Sequence, residues 1–366
     1  MSRATGAIID LAALRHNLKR VRALAPKSRV MAVVKANAYG HGLALTAQAL
    51  SDADAFAVAG LDEAQIVRRA GLSHPIVLLE GVFGTEELEE AVRWSCEVVV
   101  HDAYQLKLIE NSKLKSEISV WLKVDTGMNR LGFAPAAVQD AWKRLNKARA
   151  VQKPVRLMTH FASADEISNP KTLAQLEAFA AATAGIEAER SIANSAGILA
   201  WPQSHADWVR PGSMLYGASP FSMKCGADDG LKPVMTMETT LIAVKTLKEG
   251  ESVGYGGSFV APEDMTLGIA AIGYGDGYPR HAPSGTPVLV KGVRVPLVGR
   301  VAMDMIALDL RGVSRPAVGD PVVAWGPELP VEEIARAAGT IPLELLCGVT
   351  QRVKFSVIDP KEKARR

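Results

Sequence analysis

Apolar and polar positions along this chain fall into two regimes. Up to about residue 215, short apolar runs alternate with longer stretches of helical spacing. The runs cover residues 30–35, 55–59, 75–79, 97–101, 119–125, 155–161, 190–194 and 208–215. Helical spacing starts at Leu61 and recurs over 86–94, 103–114, 135–147 and 171–184. A first helix over residues 10–25 carries Leu11, Leu14, Leu18 and Val21 on one stripe, with Asp10 placed to cap it. Strands alternating with helices require crossover connections and hence a parallel sheet. Eight strands over a span of about 220 residues predict a closed (β/α)8 barrel. An open doubly wound sheet is the structural rival, disfavoured because no Gly-rich dinucleotide fingerprint follows the first strand.

Near Leu231 the helical period fades. Short β-rich runs over 244–247, 267–272, 286–290, 293–297, 305–310 and 321–324 alternate with Gly and Pro turns, with one helix over 331–338. The expected division is therefore an α/β barrel over residues 1–228 and a mostly antiparallel β domain over 229–366, with residues 224–230 as linker.

Composition narrows the function classes. A hydrophobic share of 48% with 22% charged residues fits a soluble enzyme. A formal net charge of +3, spread along the chain without basic runs, argues against nucleic acid as a partner. Cys96, Cys225 and Cys347 show neither CxxC nor zinc spacing and read as reduced core residues. No signal-like or membrane-length apolar stretch occurs, so a cytoplasmic protein is expected. The scattered histidines imply no metal.

In a barrel, chemistry belongs at the C-terminal strand ends. Strand one ends in Lys35, strand five runs into Asp125-Thr126-Gly127-Met128-Asn129-Arg130, and strand six ends at His160. Strand seven ends in Asn194 and Ser195, and strand eight carries Arg210, Gly212 and Ser213. A lysine at a strand mouth is partly desolvated, which lowers its pKa and frees a nucleophilic amine. Small and hydroxyl-bearing residues after strands seven and eight suit a phosphate cradle. Lysine and cradle together suit pyridoxal 5′-phosphate.

The segments MAVVKANAYGHG, KVDTGMNRLGF, HFASAD, ANSAG, DWVRPGSMLYG, VGYGG, IGYGDGYPR and GRVAMDM resemble those of the alanine racemase family, in the family's order. The resemblance implies interconversion of L- and D-alanine by two-base proton transfer at Cα of the cofactor-bound amino acid. It also implies a homodimer in which the barrel faces the partner's β domain. Lys35 then holds the cofactor and acts as one base; Tyr255, from the second subunit, is the other. Arg210 meets the pyridine nitrogen and disfavours its protonation, since a guanidinium stays charged. His160 links Arg210 toward Tyr255, Tyr39 binds the phosphate, and Arg130 grips the substrate carboxylate. Lys123 matches a lysine that many members carbamylate. Met303 and Asp304 contact the carboxylate from the second subunit, and Tyr274 lines the substrate entrance. Gln351 departs from the pattern, replacing a phosphate-binding tyrosine of some members. The rivals are a broad-specificity amino-acid racemase and a barrel-fold decarboxylase, the latter lacking its glutamate where Arg210 stands. Supply of D-alanine to the cell wall and degradation of alanine both remain open.

Overall fold

Backbone pairing closes the expected barrel. The computed structural model describes residues 4–359. A strand β1 (Gly6–Asp10) precedes eight parallel strands: β2 (Arg29–Val33), β3 (Ala55–Val58), β4 (Ile76–Leu78), β5 (Cys96–Val100), β6 (Ile118–Lys123), β7 (Val151–Met158), β8 (Arg190–Ser191) and β9 (Trp208–Val209). These eight follow sequence order around the barrel, and β9 returns to β2 with Trp208 opposite Arg29. Closure excludes the open sheet. The strands stop earlier than the apolar runs do, so Lys35, His160 and Asn194 lie in the loops just beyond them. The first helix runs Leu11–Leu24, and Asp10 caps it: Oδ1 accepts from the N–H of Ala12 (2.8 Å) and Ala13 (3.1 Å).

Side chains alternate across a strand, so every second residue enters the lumen. Met31, Val33, Ala55, Ala57, Val77, Val99, Trp121, Met158 and Trp208 form a single buried cluster there. Toward the strand starts lie two copies of one polar device. Trp121 Nε1 donates to Glu97 Oε2 (2.7 Å); Glu97 pairs with Arg156 (2.8 Å), whose guanidinium sits 4.6 Å from the Trp121 ring centroid. Likewise Trp208 Nε1 donates to Glu189 (2.9 Å), which pairs with Arg29, itself 4.1 Å over the Trp208 ring. The two indoles meet edge-on at 6.0 Å. Each charge is thus paired and each ring N–H bonded, which makes burial tolerable for the two indoles and for the mostly covered Glu97–Arg156 pair.

The compact units of the backbone part before the expected boundary at residue 228. Among the described residues, one compact unit is Asn17–Leu215; the other combines residues 4–16 with 216–359. β1 belongs to the second unit, pairing antiparallel with Met235–Leu247 and parallel with Lys354–Ile358. Its five residues are too few for their alternation to stand out before the helical stripe. These three strands join five others in an eight-stranded, mostly antiparallel sheet. The expected helix Val331–Ala338 is present; Pro342–Cys347 adds a short one. Residues 224–230 are no bare linker. Glu332, on the helix Val331–Ala338, accepts from the N–H groups of Ser219 (3.0 Å) and Gly226 (2.9 Å), and buried Asp229 accepts from Ser219 Oγ (2.7 Å) and Lys224 Nζ (3.0 Å). No cysteine forms a disulfide, but only Cys96 is buried, so the core reading fails for Cys225 and Cys347.

Trp121→Ala should destabilise the barrel by about 3–5 kcal/mol, through the cavity and the hydrogen bond lost at Glu97. Phe83→Ala, at a side chain 63% exposed, should stay within about 0.5 kcal/mol. Urea unfolding of the two variants checks the contrast.

Candidate active site

The alternation that fills the lumen also builds the barrel mouth. Lys35, Lys123, His160 and Arg210 each stand two residues beyond a core-layer side chain: Val33, Trp121, Met158 and Trp208. Arg210 is 4% exposed. Its Nη1 donates to Ser191 Oγ (2.6 Å), and Nη2 donates to the carbonyls of Thr159 and Ile192. Burial pushes this guanidinium down to about 10, so it stays charged at neutral pH. The link from His160 to Arg210 is electrostatic: no hydrogen bond joins the two side chains. Burial, reinforced by Arg210, Lys123, Arg130 and Lys35, holds the His160 imidazole well below its usual range. Lys123 is pushed down to about 8 by burial first, then by Arg210, Arg130 and Lys35; Asp125 opposes weakly. The mouth is cationic, which suits an anionic guest.

Lys35 opens an unusual turn. Ala36, Asn37, Ala38 and Tyr39 all have φ between 52° and 54°, a left-handed helical turn built without glycine. Such a conformation costs roughly 1–2 kcal/mol per residue. Three side chains hold it. Glu63 takes the Ala36 N–H on Oε1 (2.6 Å) and the Ala59 N–H on Oε2 (2.8 Å), joining the ends of β2 and β3 where their ladder stops. Asn37 Oδ1 accepts from the Leu43 N–H (2.9 Å). His41 Nδ1 faces the carbonyls of Ala38 (3.1 Å) and Tyr39 (2.9 Å), so it carries the proton; burial pushes this imidazole down to about 4. Sequence reasoning missed Glu63 and His41. The signal for Glu63 was an acid in the first turn of a helix following Gly60. Nothing local marks His41.

The turn delivers Tyr39 to the loop after the adjacent strand, β9. A Cβ at Gly212 would lie 2.8 Å from Tyr39 Oη, so only glycine leaves the phenol its place. Ser195 Oγ accepts from the N–H of Gly212 (2.9 Å) and Met214 (3.4 Å), and Asn194 Oδ1 caps the helix Ser195–Ala200 through the Gly197 N–H (2.9 Å). Tyr39, Asn194, Ser195, Gly212 and Ser213 therefore form one hydroxyl-rich rim. The Gly212 amide is already bonded, so hydroxyl protons become the donors this rim offers an anion. Arg130 is exposed on a loop braced by Asp125, whose Oδ1 accepts from the N–H of Gly127 (2.9 Å) and Asn129 (3.0 Å).

The remaining candidates lie in the other unit. Tyr255 is 67% exposed on a turn between glycines of positive φ, Gly254 and Gly256. Tyr274 sits on a turn whose backbone bonds to the next candidate segment: Tyr274 N–H to Ala302 (3.1 Å) and Gly275 N–H to Met303 (2.9 Å). Arg352 ties them further, pairing with Asp276 (2.9 Å) and Asp304 (2.5 Å). Arg300, just before this segment, lies against Gly256. Residues 300–304 thus touch both tyrosine turns. Gln351 is exposed beside this cluster.

A closed barrel with a lysine and a caged arginine at its mouth, in one chain with a mostly antiparallel β unit, defines the barrel-plus-β-domain class of enzymes. The chain matches the alanine racemase N-terminal domain over residues 9–220 and the alanine racemase C-terminal domain over residues 234–357. It belongs to the alanine racemase family. It is 58% identical to the alanine racemase of Nitrosococcus oceani over 350 residues, covering 95% of this chain and 97% of that one. The Halorhodospira halophila enzyme is 51% identical over 98% of this chain and 99% of its own. Among solved structures, the biosynthetic alanine racemase of Pseudomonas aeruginosa superposes with a TM-score of 0.95 at 46% identity, covering 98% of this chain and all of that one (100%).

Lys123 should react with an amine-acylating reagent along a curve rising through about pH 8, because only the neutral amine attacks. Surface lysines should rise near 10.4. Pulse labelling with mass spectrometry separates the two; a Lys123 curve coincident with the surface lysines would refute its desolvation.

Proposed function

We propose that this chain interconverts L- and D-alanine with two bases of its own, the amine of Lys35 and the phenol of Tyr255, on opposite faces of the substrate Cα. The observation that carries the reading is the fully buried, unneutralised Arg210 at the mouth that Lys35 shares. The residues present fit pyridoxal 5′-phosphate. The mouth is cationic, and Gly212 clears space at Tyr39 that a Cβ would fill. Lys35 would hold the aldehyde carbon, Tyr39, Ser195 and Ser213 the phosphate with Asn194 and Gly212 shaping its rim, and Arg210 the ring nitrogen. When bound, the cofactor supplies an electron sink that acidifies the Cα–H of the attached amino acid.

The chain's own groups do the rest. Lys35 Nζ takes or returns the Cα proton on one face, and Tyr255 Oη does so on the other; inversion needs both, because one fixed base returns the proton where it took it. Arg130 pairs with the substrate carboxylate and sets which hydrogen faces each base. Carbamylation of Lys123, favoured by an amine neutral above about pH 8, would place a negative charge beside Arg130 and hold it. Arg210 keeps its charge on neutral acceptors and so disfavours a proton on the nitrogen opposite. This restrains electron withdrawal and argues against the decarboxylase alternative. His160, kept neutral, carries this influence toward Tyr255.

Tyr255, at 67% exposed, Met303 at 51% and Tyr274 at 40% crowd one end of the β unit. Exposure of this kind supports a second copy of the chain as the partner, with Met303 and Asp304 meeting the carboxylate and Tyr274 the entrance. Among the described residues no helix is long and apolar enough to cross a membrane; a cytoplasmic setting also accords with cysteines that form no disulfide. Substrates larger than alanine remain the second reading.

Chiral analysis of alanine incubated with protein and pyridoxal phosphate tests the activity; serine, lysine and arginine in parallel test its breadth. Lys35→Ala should remove the visible band of lysine-bound cofactor, and a surviving band would assign another anchor. Tyr255→Phe should slow exchange of the L-alanine Cα proton by about 100-fold or more while leaving cofactor binding intact. Gly212→Ala should weaken cofactor binding about ten-fold or more by displacing Tyr39, measured by titration of the apoprotein.

A further inference from the structure

Beneath the mouth runs a buried chain of polar side chains that touches none of the reacting positions. Gln175 lies on the helix Lys171–Ala182 and is 1% exposed. Its Oε1 accepts from the Ala162 N–H (2.9 Å), which fixes the orientation of the amide. Nε2 then donates to the His160 carbonyl (3.0 Å) and to Thr126 Oγ1 (3.1 Å). Thr159 Oγ1 gives its single proton to the Val124 carbonyl (2.9 Å), so the bond between Thr126 and Thr159 (2.9 Å) takes its proton from Thr126. Donation therefore runs one way, from Gln175 through Thr126 and Thr159 to the Val124 carbonyl. The Thr159 carbonyl is one of the acceptors that seat Arg210, and His160 is the next residue along.

A helix needs no such arrangement merely to pack on a barrel; apolar contact suffices. Here a helix side chain instead pins the loop after β6 to the loop after β7, at the two residues whose backbone carries Arg210's acceptor and the His160 imidazole. We propose that Gln175 is a positioning residue of the racemase centre, acting through Thr126 and Thr159 to fix the seat of Arg210 and the direction of His160. This rests on the reading that Arg210 meets the cofactor's ring nitrogen.

The test compares holoenzymes carrying Thr126→Val, Thr126→Ser, Gln175→Glu and Arg210→Lys. Thr126→Val keeps the shape and removes the hydroxyl. Gln175→Glu keeps the acceptor for Ala162 and removes both donated bonds. Visible absorption of the bound cofactor as a function of pH, kcat, KM and thermal midpoint are measured for each. Thr126→Val and Gln175→Glu should shift the absorption titration in the same sense as Arg210→Lys. They should also lower kcat about ten-fold, as expected for one or two lost hydrogen bonds, with KM little changed. Thr126→Ser should restore wild-type behaviour. Variants that melt earlier yet keep the wild-type titration and kcat would overturn the proposal, leaving the chain a structural tie. If Arg210→Lys shifts the titration and Thr126→Val does not, the ring-nitrogen reading stands and the positioning role falls. If Thr126→Val shifts it and Arg210→Lys does not, the ring-nitrogen reading falls while positioning through His160 survives.

Discussion

Two-residue alternation of side chains along the parallel strands is the constraint from which the barrel's other features descend. It stacks the lumen in layers. Arginine and glutamate lie toward the strand starts, the apolar plug around Trp121 and Met158 is in the middle, and Lys35, Lys123, His160 and Arg210 follow one repeat later. The plug closes the lumen from below, so polar chemistry can exist only above it. A group placed there is desolvated on its inner side and open on the other. That position accounts for the depressed basicity of Lys123 and His160 before any cofactor is considered.

Arginines at the two ends of the lumen are treated oppositely. Arg29 and Arg156 are each neutralised by a carboxylate, Glu189 and Glu97. Arg210 rests on two carbonyls and a hydroxyl, all neutral. Neutral dipoles satisfy its N–H groups without cancelling its charge, and that charge then acts on His160 and Lys123. The lower pairs cancel charge; the upper cage keeps a field available at the mouth. The chain through Gln175, Thr126 and Thr159 belongs to the same logic, since a charge acts at a point only if its acceptors hold still.

Backbone strain is concentrated where Lys35 leaves its strand. Four consecutive non-glycine residues in the left-handed region would not persist alone. Glu63 at the start of the turn and His41 at its end bond the groups that the abandoned β-ladder can no longer pair. The turn reverses the chain quickly enough to bring Tyr39 against Gly212, just after the neighbouring strand β9. A right-handed turn of the same length would direct that phenol elsewhere.

Much of this was legible in the chain itself. Each of the eight apolar runs became a barrel strand, and the site residues were readable as their polar endings because alternation is local. The motifs around Lys35, Arg210 and Tyr255 pointed to the family for a related reason: a reacting group and its turn are contiguous. What sequence order alone could not decide is long-range. Assignment of β1 to the β unit depends on partners more than 200 residues away, Met235–Leu247 and Lys354–Ile358. The roles of Glu63, His41 and Gln175, the neutral cage of Arg210, and the anchoring of residues 224–230 on Glu332 each need groups that only folding brings together. Local periodicity dictates which face a side chain takes; only the packed structure determines what it meets there, because hydrogen bonds and fields depend on distance in space and not on distance along the chain.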